Sequence, residues 1–341
     1  MDTRSGSLAY NRLDMQVSQV FQLAIELYDT SDYLMVLDHQ DDITVYDDQS
    51  IHDSASYYQM KTKDDSISLS TAISEGWLEK LYSHMYAPDV FIKELGLITN
   101  CPFRLDSKTK PLSADRTPFV DFGQTHVQKI KEDIAKRRNI SIDDVDLSKM
   151  IHMRTTLSID AHQRIVESEA SDFLYFRFPQ IKVQVVKTIV AAVFDILRRR
   201  QSYERLSPNA PYEEVANKKG FSRTTLDRII KTSMKVNIPE FNSLVTISKI
   251  PDEYKERAAL AYTDVLADSN GNMDSFIDVF DSLECIVSAN SPSDDETLWE
   301  FANRCKNELL HQKKRMIIIY KDGYYIEILA MCIYLAEVNE V

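Results

Sequence analysis

The stretch YLMVLDHQDDITVYDDQSIHDSASYYQMKT, residues 33–62, decides how the chain is read. Tyr33 to Leu37 and Ile43 to Tyr46 are short and rich in Val, Ile, Leu and Tyr, with the polar corner Asp38-His39-Gln40-Asp41-Asp42 between them, which predicts two strands joined by a turn. After the turn-like Asp47-Asp48-Gln49-Ser50, Ala55 to Thr62 predicts a third strand. Alternation along it places Gln59 and Lys61 on one side and Met60 on the other. Asp42, opening the second strand, then joins Gln59 and Lys61 if the strands are neighbours. Metal-dependent phosphodiester hydrolysis needs such a set: an anionic oxygen and carbonyl oxygens, including that of Met60, to hold a hard cation such as Mg²⁺ or Mn²⁺. An ammonium beside them orients the water and offsets developing charge. Asp38, four residues before Asp42, is a candidate auxiliary carboxylate. The same residues also fit a polar turn and a strand-end charge, because an Asp followed by QxK arises by chance in many chains.

Working outward, Leu13, Val17, Phe21, Ala24 and Tyr28 recur at helical spacing and predict a helix over 12–29. Downstream, a helix over 70–86 carries Ile73, Trp77 and Leu81 on one face, with Ser68 or Ser70 as its cap, and Phe91 to Thr99 predicts a fourth strand. Helices are then expected over 124–138, 158–176, 180–201, 211–219 and 222–234, and after Pro239 over 252–268, 273–288 and 294–312. The aromatics of Asp172 to Phe178 also suit a strand, and Met316 to Tyr320 with Tyr324 to Val338 reads as a strand and a helix or as a kinked helix. Tyr212 to Arg228 reads as helix, tight turn, helix, with Gly220 in a left-handed turn and Ser222 capping the second helix. That pattern keeps a DNA-binding regulator as the alternative function.

The chain has 341 residues, 44% hydrophobic and 27% charged, enough for a large domain or two to three ordinary ones. Its seven glycines are scattered, which excludes a glycine-rich phosphate cradle, and its four cysteines and seven histidines form neither CxxC nor HExxH. The amino terminus has no signal-peptide pattern, and no run of about 18 apolar residues occurs, so a reduced, cytoplasmic protein with no membrane span is expected. The formal charge of −13 is unevenly spread. Residues 1–65 hold thirteen acids and four bases, 182–235 hold twelve bases and five acids, and 239–311 hold fifteen acids and five bases. The basic block, with Arg198, Arg199, Arg200, Lys218, Lys219 and Arg223, offers a phosphate-binding face. The Arg198-Arg199-Arg200 run also suits a helix carboxyl terminus, where it completes the dipole.

Gln16 in RLDMQVSQVFQLAIELY, Asp38 and Asp42 in VLDHQDDITVY, and YYQMKTK together resemble the amino-terminal nuclease domain of anti-phage double-strand DNA endonucleases associated with cyclic-oligonucleotide signalling. FIKELGLITNCPF, LSIDAHQRIVESEASDFL, VAAVFDILRRR and YEEVANKKGFSRTTLDRII resemble its continuation, so the likeness covers roughly 8–235. That family belongs to the PD-(D/E)xK restriction-like class, in its QxK subgroup. The resemblance implies an α+β core with a helical extension over 1–236, and Mg²⁺- or Mn²⁺-dependent cleavage of double-stranded DNA. It further implies Asp42, Gln59 and Met60 as metal ligands, Lys61 as the catalytic cation, Asp38 as auxiliary ligand and Gln16 as support. One departure is that Asp38 stands where the family often has the longer Glu.

Residues 237–341 read as a mostly helical module, short and acidic. This resembles the arrangement in Lamassu-type defence, where the nuclease subunit is held by an SMC-like ATPase and a third subunit. Restraint by such partners and self-association on release are implied. The apolar run at 316–335 strengthens the case for a docking partner, against burial in the module's own core. A catalytically silent interaction subunit is the remaining alternative.

Overall fold

The computed structural model describes residues 5–86, 90–106, 110–207, 210–236, 238–271, 273–312 and 322–339. It divides into two compact units, Met1–Arg177 with Leu197–Thr224, and Phe178–Ile196 with Thr225–Val341. This division assigns 178–196 and 225–236 to the second unit, where the sequence reading kept them with the first.

The first unit is built on α1 (Ser5–Glu26), β1 (Leu34–Leu37), β2 (Ile43–Tyr46), β3 (Ser54–Lys61), β4 (Ile67–Ser68), α2 (Leu69–Ser74) and α3 (Trp77–Tyr82). It continues with β5 (Phe91–Thr99), β6 (Phe103–Arg104), β7 (Arg116–Pro118), α4 (Gln124–Arg138), β8 (Met150–Arg154) and α5 (His162–Arg177). A seven-stranded sheet has the order β7-β8-β5-β3-β2-β1-β9, where β9 is Gly220–Ser222. β3, β5 and β8 are mutually parallel, and the β1–β2–β3 meander, β9 and β7 join antiparallel. The fold is therefore α+β and restriction-endonuclease-like, with helices over a mixed sheet.

Most predicted elements stand close to their expected bounds, and the departures have local causes. The helix expected over 70–86 is broken at Gly76, whose φ of +72° is open to glycine at little cost. The Ile73 carbonyl, which also accepts the Gly76 amide, and the Ser74 carbonyl accept from the Arg137 guanidinium. Ser68 is the cap of α2, its hydroxyl accepting from the Thr71 amide at 3.1 Å. The aromatic stretch at 172–177 is helical, and Phe173 packs edge-on against Tyr28 at 5.0 Å. Tyr57, Leu95, Leu97, Leu78, Leu81 and Ile134 share one buried core between the sheet and α2, α3 and α4.

The two helices expected around Gly220 are present, but the left-handed turn expected between them does not form. After α7 (Tyr212–Lys219), Gly220 is extended, with φ −81° and ψ 134°, and Gly220 to Ser222 pair with β1 as the outer strand of the sheet. Glycine is needed there for close approach and not for a left-handed turn. A Cβ would stand 2.4 Å from the Ala216 carbonyl oxygen and 2.7 Å from Leu34 Cδ1.

In the second unit, α6 (Val183–Gln201, to Ile196) and α8 (Arg223–Lys235, from Thr225) accompany α9 (Phe241–Ser248), α10 (Lys255–Gly271), α11 (Met273–Ala289), α12 (Leu298–Gln312) and α13 (Gly323–Asn339). α13 packs against α10, α11 and α12, and Tyr325, Ile326, Ile328, Leu329, Met331 and Ile333 are each at most 3% exposed. Its apolar faces are thus satisfied within the unit and require no docking partner to cover them. The Met316 to Tyr320 segment lies outside the described residues. No helix among the described residues is long and apolar enough to cross a membrane.

Candidate active site

The hairpin and the antiparallel strand β3 beside it bring Asp42, Gln59 and Lys61 to one place. Ile43 lies opposite Tyr58, so one further step of the antiparallel register sets Asp42 across from Gln59. Asp42 Oδ2 accepts the Met60 amide hydrogen at 2.7 Å. Burial pushes the Asp42 carboxyl above the usual carboxylate range, Asp41 adding to the shift, against the pull of the Met60 amide, Lys61 and Lys80. Partial burial lowers the Lys61 ammonium below its usual range, Lys80 adding to the shift, while Asp42 and Asp41 oppose it. Its Nζ lies 5.2 Å from the centre of the Trp77 ring, a cation–π contact that holds the stem over α3.

Gln59 is 1% exposed, and its Oε1 has no hydrogen-bond partner. A buried carbonyl oxygen left without a donor costs on the order of 1–3 kcal/mol. A cation beside Asp42 would remove that cost, and a hard oxygen ligand is the right chemistry for Mg²⁺ or Mn²⁺. Among the described residues no group of three or more His, Cys, Asp and Glu could hold a metal. A cation here would rest on a carboxylate, an amide oxygen and the Met60 carbonyl, keeping part of its water shell as Mg²⁺ tends to do.

Three residues around this cluster escaped the sequence reading. Asp41, read only as part of a turn, has a fully buried side chain. It receives Lys80 Nζ at 3.2 Å, His84 Nε2 at 3.0 Å, Gln59 Nε2 at 3.4 Å and the Asp42 amide at 3.1 Å. Burial alone would raise its carboxyl, but the His84 hydrogen bond and the Lys80 charge outweigh it and bring it below the usual range. The His84 ring stacks on Tyr57 at 4.0 Å. The available signal was Trp77, Lys80 and His84 recurring at three- and four-residue spacing on the segment that follows the QxK strand.

The remaining candidates are placed differently. Asp38 sits exposed in the hairpin with φ +47°, its amide donating to the Asp42 carbonyl and its own carbonyl accepting from Lys219 Nζ at 2.8 Å. Gln16 accepts from Gln201 Nε2 at 3.0 Å. Arg198 makes a two-pronged pair with Asp14, at 2.6 and 3.0 Å. Lys219 is 4% exposed and also donates to the Gln201 carbonyl at 3.3 Å, and Arg223 lies 5.0 Å from the centre of the Tyr28 ring. Arg199 and Arg200 are half-buried and Lys218 is exposed. Farther along the basic block, Arg228 pairs with Asp278 and Asp281, and Lys231 and Lys235 with Glu284. The basic face of the would-be recognition helix is therefore largely neutralised by acids of α11. His152, donating to or accepting from Thr99 at 2.9 Å, and His162, paired with Ser18 at 2.7 Å, are structural.

The family model described as Cap4, dsDNA endonuclease domain, matches residues 4–201. The chain belongs to that family. Over 236 residues it is 28% identical to the Lamassu protein LmuA of Bacillus cereus (strain VD014), covering 68% of this chain and 65% of that protein. The match thus spans just under two thirds of that relative's length. No solved structure matches significantly. The Cap4 match contains Asp42, Gln59, Met60 and Lys61 but ends before β9, so the outer strand that closes the sheet beside β1 lies beyond it.

Proposed function

We propose that this chain is the nuclease subunit of a defence complex and hydrolyses phosphodiester bonds of double-stranded DNA with Mg²⁺ or Mn²⁺. The observation that carries the reading is the buried, unpartnered Oε1 of Gln59, a residue that stands two before Lys61 on β3 and one register step across from Asp42. Asp42, Gln59 Oε1 and the Met60 carbonyl would hold the cation. When bound, the cation supplies Lewis-acid polarisation of the scissile phosphate. Lys61 orients the attacking water and offsets charge that builds on the phosphoryl oxygens, a role favoured by its partial burial, where charge acts more strongly than in bulk water. Lys80, exposed at the mouth beside Asp41, adds positive potential for the DNA backbone. Arg199, Arg200 and Lys218 are proposed as phosphate contacts.

The likeness to a Lamassu protein supports an effector restrained by an SMC-like ATPase and a third subunit, with release allowing self-association into the cutting form. A net charge of −13 fits such restraint, because the field of the isolated chain repels DNA. The test is incubation of the purified chain, alone and with its genomic neighbours, with plasmid DNA in Mg²⁺ or EDTA. Cutting that needs Mg²⁺ is expected, and cutting that persists in EDTA would contradict the reading.

A further inference from the structure

Gln59 raises a difficulty that a carboxylate ligand avoids. Its amide ends in an oxygen and a nitrogen of similar shape, and only the oxygen can hold a cation. A glutamate would present an oxygen whichever way it turned. Asp41 supplies the missing constraint. An ionised carboxylate only accepts hydrogen bonds, so Asp41 Oδ1, 3.4 Å from Gln59 Nε2, requires the amide to turn its NH₂ toward it. Oε1 is then directed away and is left buried without a partner. The flipped amide would instead set two acceptors against each other. Asp41 cannot easily turn to accommodate this, because Lys80 and the Asp42 amide hold Oδ1, and His84, stacked on Tyr57, holds Oδ2.

We propose that Asp41 is a positioning residue that fixes the Gln59 amide with its oxygen toward the cation site, and that Lys80 and His84 hold Asp41 for this task. The proposal rests on the metal-nuclease reading of Asp42, Gln59 and Lys61. In it, a buried neighbouring charge gives a neutral ligand the directionality that a glutamate would not need.

A charge exchange tests it. Mn²⁺ binding to the full chain is measured by electron paramagnetic resonance and calorimetry, with melting curves as a check of folding and plasmid cleavage alongside. Asp41→Asn admits both amide orientations, and Mn²⁺ affinity should fall about tenfold, the scale of an ordinary coupling between neighbouring groups. Gln59→Glu alone sets two carboxylates against each other and should also bind poorly or melt lower. The double variant Asp41→Asn with Gln59→Glu moves the charge to the ligand and should recover most of the wild-type affinity. A purely structural Asp41 would leave the Asp41→Asn defect unchanged when Gln59→Glu is also present, which would overturn the proposal. Should Asp41→Asn fail to fold, His84→Phe keeps the stack on Tyr57 and removes one anchor of Asp41. It should weaken Mn²⁺ binding severalfold while the melting curve stays near that of the wild type; an unchanged Mn²⁺ affinity would overturn the proposal. A wild-type chain that binds no Mn²⁺ would instead remove the metal reading beneath it, an outcome distinct from failed rescue in a chain that does bind.

Discussion

The Asp42 carboxylate reaches the neighbouring strand and accepts the Met60 amide hydrogen at 2.7 Å, in the middle of the Gln59-Met60-Lys61 motif. One bond thus ties the start of β2 to the end of β3 and aims a carboxylate at the place where the motif presents its polar groups. Burial raises the Asp42 carboxyl, so in the absence of a cation its charge is held at a cost to stability. Asp42→Asn can still accept from Met60 without that charge. Its melting temperature should equal or exceed that of the wild type, while plasmid cleavage should fall by about a hundredfold or more.

The arginine run allows two separate tests. Arg198→Gln loses the pair with Asp14 and should cost stability, on the order of 1 kcal/mol, in a urea titration. Replacing Arg199 and Arg200 with Gln should instead weaken DNA binding across all sequences. The slope of log affinity against log salt should fall by about one for each phosphate no longer neutralised.

Gly220→Ala tests the outer strand. Its Cβ would press into the Ala216 carbonyl oxygen and Leu34 at distances no folded chain tolerates, so β9 must shift from β1. A loss of about 2 kcal/mol or more is expected in chemical denaturation. A helix-turn-helix with Gly220 on its exposed turn would lose far less.

Much of this was legible in the sequence because the strands announce themselves. Ile43–Tyr46 and Phe91–Thr99 have the bounds that β-branched and apolar runs predict, and Asp42, Gln59 and Lys61 follow from strand alternation. What was hidden depends on neighbours distant along the chain. Gly220 to Ser222 looks like a turn between helices because three residues carry no periodicity, and only pairing with Leu34 to Val36 makes them a strand. Asp41 looks like a turn residue because its partners Lys80 and His84 lie some forty residues away. Lys219 belongs by sequence to the basic block, yet it is buried and its ammonium donates to two backbone carbonyls. Apolarity alone does not tell a docking surface from a local core, and for α13 three helices of its own unit supply the cover.

Within the second unit, Glu284 bridges α11 to Lys231 and Lys235 of α8. Burial alone would raise its carboxyl, but the two lysine hydrogen bonds bring it below the ordinary value of 4.5. A depressed carboxyl contributes stability that is present above its unfolded value and lost as pH falls through the folded one. Glu284→Gln should therefore melt lower than the wild type near neutral pH, and the gap should close on acidification below about pH 4.5. A gap that stays constant down to strong acid would contradict this.

The most direct test of the account is the rate of plasmid cleavage by wild type and Lys61→Ala, each purified alone and with its genomic neighbours, in Mg²⁺ and in EDTA. Lys61 is half-buried at a strand end over Trp77, and its removal should leave the fold intact. Mg²⁺-dependent cutting by the wild type is expected, with a loss of about a hundredfold or more in Lys61→Ala. Cleavage by Lys61→Ala at the wild-type rate, or wild-type cleavage undiminished in EDTA, would contradict it.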